Sequence, residues 1–133
     1  MNKVRIDIEF EFGLIDNRYM TVMVNDQLVT PTNPTVSFEI DLPTRIRIDY
    51  SGKNNQTDTK LDEQGNIIAD LYAMIKVMKL DGFLAGQKYL YHNVTMHTTT
   101  GEVFTTCYAG FNGHMQIVLD QPTVFSQYVL MNS

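Results

Sequence analysis

From Val4 to Phe12 the chain alternates without a break: Val4, Ile6, Ile8, Phe10 and Phe12 are apolar, and Arg5, Asp7, Glu9 and Glu11 between them are charged. Successive side chains of a β-strand point to opposite faces, so this pattern predicts a strand with one dry and one wet side. A helix would scatter the same residues around its whole circumference. The alternation returns over 19–25, 35–42 and 45–50, where Ile46, Ile48 and Tyr50 oppose Arg45, Arg47 and Asp49. Asn25-Asp26, the Pro31 to Pro34 segment and Pro43 separate these runs, and such residues favour turns over continued regular structure. Further strands are predicted over 88–98, 102–109, 115–120 and 124–131, parted by Thr100-Gly101, Asn112-Gly113 and Gln121-Pro122. Residues 67–80 suit two periods: Leu71, Met74, Ile75 and Met78 would line a helix, whereas Leu71, Ala73, Ile75 and Val77 would share one strand face. We read a strand, which brings the total to about nine and points to an all-β fold, a single antiparallel β-sandwich of jelly-roll-like type.

Length and composition agree with one domain over 1–133. The chain has 133 residues, 44% hydrophobic and 19% charged, enough to bury a core without staples. Its net charge of −5 and ten scattered Lys and Arg argue against a nucleic-acid surface. Cys107 is the lone cysteine, so no internal disulfide is expected. The start MNKVRIDIEFEFG lacks the apolar run of a secretory signal. No stretch approaches the ~18 apolar residues of a membrane span.

The segment Ser51 to Asn66, SGKNNQTDTKLDEQGN, departs from this apolar-rich background, with Leu61 its one large aliphatic residue. Calcium takes ~6 to 8 oxygen ligands from carboxylates, amides and carbonyls, and a loop of this composition can supply them. Candidate ligands are Asn54, Asn55, Asp58, Asp62, Asn66 and Asp70, with Gln64 a further donor and Gly52 and Gly65 permitting sharp turns. The spacing is not that of an EF-hand. A solvated connection whose Asp and Asn residues cap turns, or a loop that orders on a partner, accounts for the same composition.

Other side chains bear on chemistry. Tyr89 and Tyr91 share a predicted strand face, and Tyr72 and Tyr108 are candidates to join them in stacking on a sugar; Tyr rings covering a sheet with wet hydroxyls are the plainer account. His92 and His97, five apart, fall on opposite faces of a regular strand and share no metal. Glu9 and Glu11 have the side-chain type of a glycosidase pair, but a solvated strand face explains them. No signature joins Cys107 to a histidine as nucleophile and base. No enzyme is therefore expected.

Residues 46–83, IRIDYSGKNNQTDTKLDEQGNIIADLYAMIKVMKLDGF, resemble the calcium-dependent xylan-binding carbohydrate-binding modules, which are small β-sandwiches. Asn54-Asn55 stand at that family's Asn-Asp pair, Asp70-Leu71-Tyr72 at the start of its aliphatic strand, and Asp81-Gly82 at its close. Asn55 replaces the acidic member, and the chain has no Trp. The resemblance implies calcium as cofactor and carbohydrate as partner. With the ending GFNGHMQIVLDQPTVFSQYVLMNS, the same region resembles small β-rich proteins of tailed bacteriophages, which implies a virion component. The function expected is a non-catalytic binding or assembly module of a virion with calcium-assisted carbohydrate binding; the alternative is a purely structural phage coat or tail protein. The last predicted strand, 124–131, is apolar on both faces, which suits neighbouring protein subunits or a homo-oligomer.

Overall fold

The computed structural model describes residues 3–16, 18–41, 44–54, 58–86 and 93–119. Among them run fifteen strand segments, several only two residues long: β1 Lys3–Phe12, β2 Leu14–Ile15, β3 Arg18–Tyr19, β4 Thr21–Val24, β5 Gln27–Val29, β6 Thr35–Asp41, β7 Thr44–Ser51, β8 Thr59–Leu61, β9 Ile67–Asp70, β10 Ala73–Leu80, β11 Phe83–Leu84, β12 Val94–Thr98, β13 Val103–Phe104, β14 Tyr108–Ala109 and β15 Gly113–Leu119. They form an antiparallel β-sandwich. One sheet has the order β11-β10-β1-β6, with β14 also on β10; the other runs β13-β12-β15-β7-β4-β5. No described helix is long and apolar enough to cross a membrane.

The alternation of β1 is realised as read: Val4, Ile6, Ile8 and Phe10 are buried while Lys3, Arg5 and Glu11 face water. They meet Ile46, Ile48 and Tyr50 of β7, Val22 and Val24 of β4, and Met115, Ile117 and Leu119 of β15 in one hydrophobic cluster spanning both sheets. Burying a side chain of this size contributes about 1.5–3 kcal/mol, so this layer dominates stability. Asn25-Asp26 and Asp81-Gly82 turn the β4-β5 and β10-β11 hairpins with positive φ at both positions, the backbone that matches the twist of the flanking strands.

Four expectations need correction. Residues 67–80 are extended, as preferred, but they make two strands: β9 pairs with β8, and the chain breaks at Leu71-Tyr72 before β10 joins the sheet of β1. Within β10 a bulge at Lys76, opposite the Glu9/Phe10 step, shifts the register. Met78 therefore turns into the core and Val77 sits half-buried, the reverse of a strict period of two. Residues 102–109 also divide, because the chain leaves one sheet after Phe104 and reaches the other at Tyr108. The segment read as one polar loop contains the β8-β9 hairpin. The predicted strand at 124–131 lies outside the described residues, as does 88–92 of the strand read over 88–98.

Candidate functional site

At the end of β7 the chain passes Gly52 and turns Lys53 inward. Asn112, just before β15, fixes this conformation: the Lys53 amide donates to its Oδ1 at 3.0 Å, and its Nδ2 donates to the Lys53 carbonyl at 2.7 Å. The Lys53 side chain is only 4% exposed. A buried ammonium needs charged or strongly polar partners. It has two, donating to Asp70 Oδ1 and to the Gly110 carbonyl, each at 2.6 Å.

Asp70 ends β9 and accepts from three directions. Its Oδ1 also takes the Thr59 hydroxyl at 2.8 Å, and its Oδ2 takes the Tyr108 hydroxyl at 2.7 Å. Burial alone would raise its pKa, but the bonds from Lys53, Tyr108 and Thr59, with the Lys53 charge, bring it below the usual carboxylate value. The same carboxylate, after burial, pushes the Tyr108 hydroxyl well above an ordinary phenol. Tyr108 packs on Tyr72 with ring centroids 4.8 Å apart, and Tyr72 donates to Glu11 Oε2 at 3.2 Å. Phe111 lies with its centroid 5.8 Å from Lys53 Nζ and stacks on Phe104 at 5.9 Å. A cleft of about 330 Å3 is lined by Lys53, Thr59, Asp70 and Gly110, which form its polar floor, and by Ile67, Tyr108 and Phe111, its largely apolar walls.

Among the described residues the candidate metal ligands Asn54, Asp58, Asp62, Asn66 and Asp70 are engaged in separate pairings. Asn54 and Asp58 pair with each other: the Asn54 amide donates to Asp58 Oδ2 at 2.7 Å, and the Asp58 amide to the Asn54 carbonyl at 2.9 Å. Asp58 also forms an ion pair with Arg18. Asp62 and Asn66 form a separate turn, in which Asp62 Oδ1 accepts the amides of Gln64 and Asn66, both at 2.9 Å. Those donors, the Asn66 amide foremost, hold the Asp62 carboxyl below its usual pKa. Asp70 is bonded to Lys53. Asn55 lies outside the described residues. Among those described, no three His, Cys, Asp or Glu side chains converge to hold a metal. The described donors therefore do not fit a calcium cage: two carboxylates already face cations and the third closes a turn.

Of the candidate sugar contacts, Tyr72, just before β10, and Tyr108 of β14 do meet, their rings 4.8 Å apart. Tyr89 and Tyr91 lie outside the described residues. Reasoning from sequence missed Lys53, Thr59 and Phe111. Lys53 is the first charged residue of the polar segment and follows a glycine, but neither fact distinguishes a lysine that turns inward from one in solvent. Glu9 and Glu11 remain on the wet face of β1, engaged with Lys76 and Tyr72 respectively.

No protein-family model and no curated protein matches the sequence. Among solved structures the chain is similar to the selenomethionine form of vCBM60, from work on a circular permutation linking two families of calcium-dependent carbohydrate-binding modules. The TM-score is 0.48 at 10% sequence identity, covering 86% of this chain and 90% of that one. A likeness of that size fixes neither ligand nor metal, so both must be argued from the side chains around Lys53.

Proposed function

We propose that the chain is a non-catalytic carbohydrate-binding module whose ligand occupies the cleft above Lys53 and Asp70. A pyranose presents apolar C–H faces and a rim of hydroxyls that donate and accept. The cleft offers matching surfaces: the partly exposed rings of Phe111 and Tyr108 with Ile67 on its walls, and an ammonium, a carboxylate and a hydroxyl on its floor. Ligand sites of this kind combine mostly apolar walls with a few fixed polar groups. That pairing is the observation on which the reading rests. Among the described residues Asp70 is the one carboxylate lining the cleft, whereas sugar cleavage of the ordinary kind uses two about 5–9.5 Å apart. Binding without turnover follows.

A glycan array followed by calorimetry tests the proposal. A hit whose affinity falls at least tenfold in Phe111→Ala supports it, and retention of full affinity in that variant places the sugar elsewhere.

An assembly role has its own observation. The β8-β9 hairpin exposes Leu61, Ile67 and Ile68, each more than half accessible, and apolar groups so placed suit contact with a neighbouring subunit. Sedimentation across a concentration series tests it, a strictly monomeric protein counting against self-assembly. A virion is the setting we propose for either role, and mass spectrometry of purified particles tests that.

A further inference from the structure

We propose that the Lys53 ammonium is a built-in cation, holding the polar segment and the cleft floor together in the way a bound metal would, so that the protein keeps this architecture without calcium. A carboxylate oxygen and a backbone carbonyl are donors a hard cation would choose. Here Asp70 Oδ1 and the Gly110 carbonyl both converge on Nζ at 2.6 Å. The ammonium thus ties three parts of the chain that are distant in sequence: the exit from β7, the end of β9 and the approach to β15. Its own backbone is clamped by Asn112, so the charge is delivered from a fixed anchor. Arg18 plays a parallel part at Asp58.

A divalent ion brought to Asp70 would lie against this ammonium with almost no water to screen the repulsion, and it would have to displace a short charge-assisted bond. The fixed positive charge and a divalent metal are therefore alternatives at this position. This inference concerns the scaffold alone and stands whether or not a sugar fills the cleft.

The test begins with the wild-type protein. Thermal melts in calcium chloride and in chelator should superimpose, and a midpoint raised by calcium overturns the proposal. In proton–nitrogen spectra tuned to lysine side chains, the Lys53 ammonium should give a signal protected from solvent exchange and unmoved by calcium. Loss of that signal on adding calcium overturns it as well. Lys53→Ala then leaves the Asp70 carboxylate and Gly110 carbonyl facing an empty position, and its melting midpoint, lower than wild type, should rise with calcium. A folded variant blind to calcium contradicts a cation position there, and if the variant does not fold, the two wild-type measurements decide.

Discussion

Lys53 Nζ lies 2.6 Å from Asp70 Oδ1, and both side chains are largely shielded from water, at 4% and 12% exposure. Their attraction offsets a desolvation that neither group could bear alone. Removing one partner from such a pair costs more than the pair is worth, because the other charge stays buried. Asp70→Asn should therefore lower stability by about 3 kcal/mol in urea denaturation. Replacing both with apolar residues, Lys53→Met with Asp70→Leu, should recover most of that loss. A loss in the double variant equal to the sum of the losses in Lys53→Met and Asp70→Leu alone would show that the pair is not energetically coupled.

The lowered pKa of Asp70 contributes to the acid limb of stability, beside those of Asp7 and Asp62. Below its ordinary value of 3.8 the unfolded chain takes up a proton that the folded protein refuses. The contribution of this group is thus complete above that pH and lost as pH falls through the folded pKa. Melting midpoints measured downward from pH 5 should drop less steeply in Asp70→Asn than in wild type.

On the outer face of the other sheet, His97 and His114 stand opposite each other on β12 and β15, their rings stacked at 4.8 Å and 3°. Burial, then the positive charge of Arg47 and the neighbouring His97, lower the pKa of His114, and Asp49 opposes them. A histidine with a depressed folded pKa contributes fully above the unfolded value, 6.5, and loses that contribution as pH falls below it. His114→Gln should flatten the stability profile between pH 7 and 5, as read by thermal melts; an unchanged slope would acquit this residue.

The bulge at Lys76 has a plain mutational signature. Met78 is fully buried and Val77 is not, so Met78→Ala should cost about 2–5 kcal/mol and Val77→Ala clearly less. Strict alternation along β10 demands the opposite order. Denaturant melts of the two variants decide between them.

Burial pushes the Cys107 thiol up to about 11 from its ordinary 9.0, leaving little of the reactive thiolate at neutral pH. A disulfide reagent at pH 8 should modify the folded protein on the order of 100-fold more slowly than the urea-unfolded chain, from the pKa difference alone. Matching rates would mean that the thiol is solvated.

These comparisons show where sequence reading holds. The buried face of β1 was legible because one side of the strand is dry and the other wet, which forces alternation on the residues themselves. Met78 was misassigned because a single extra residue reverses every later side chain, and nothing at Lys76 announces it. Residues 102–109 looked like one strand because crossing between sheets at 105–107 needs no glycine or proline. In the site, Asp70 was singled out as a metal ligand and Tyr108 as a sugar contact, but Lys53 and Thr59, which also bond to Asp70, were not. Lysine is ordinarily solvated, and the contact of Tyr72 with Tyr108, like that of Lys53 with Gly110, depends on how distant strands come together.

Gly13 closes β1 directly beneath this assembly, donating its amide to the Tyr72 carbonyl at 2.8 Å. A Cβ there would collide with the Tyr72 ring and with the carbonyl of Asp70. The missing methyl group thus leaves the space that the Tyr72 ring fills, and even alanine at 13 would act as a wedge, prising Tyr72 away from Tyr108 on the cleft wall.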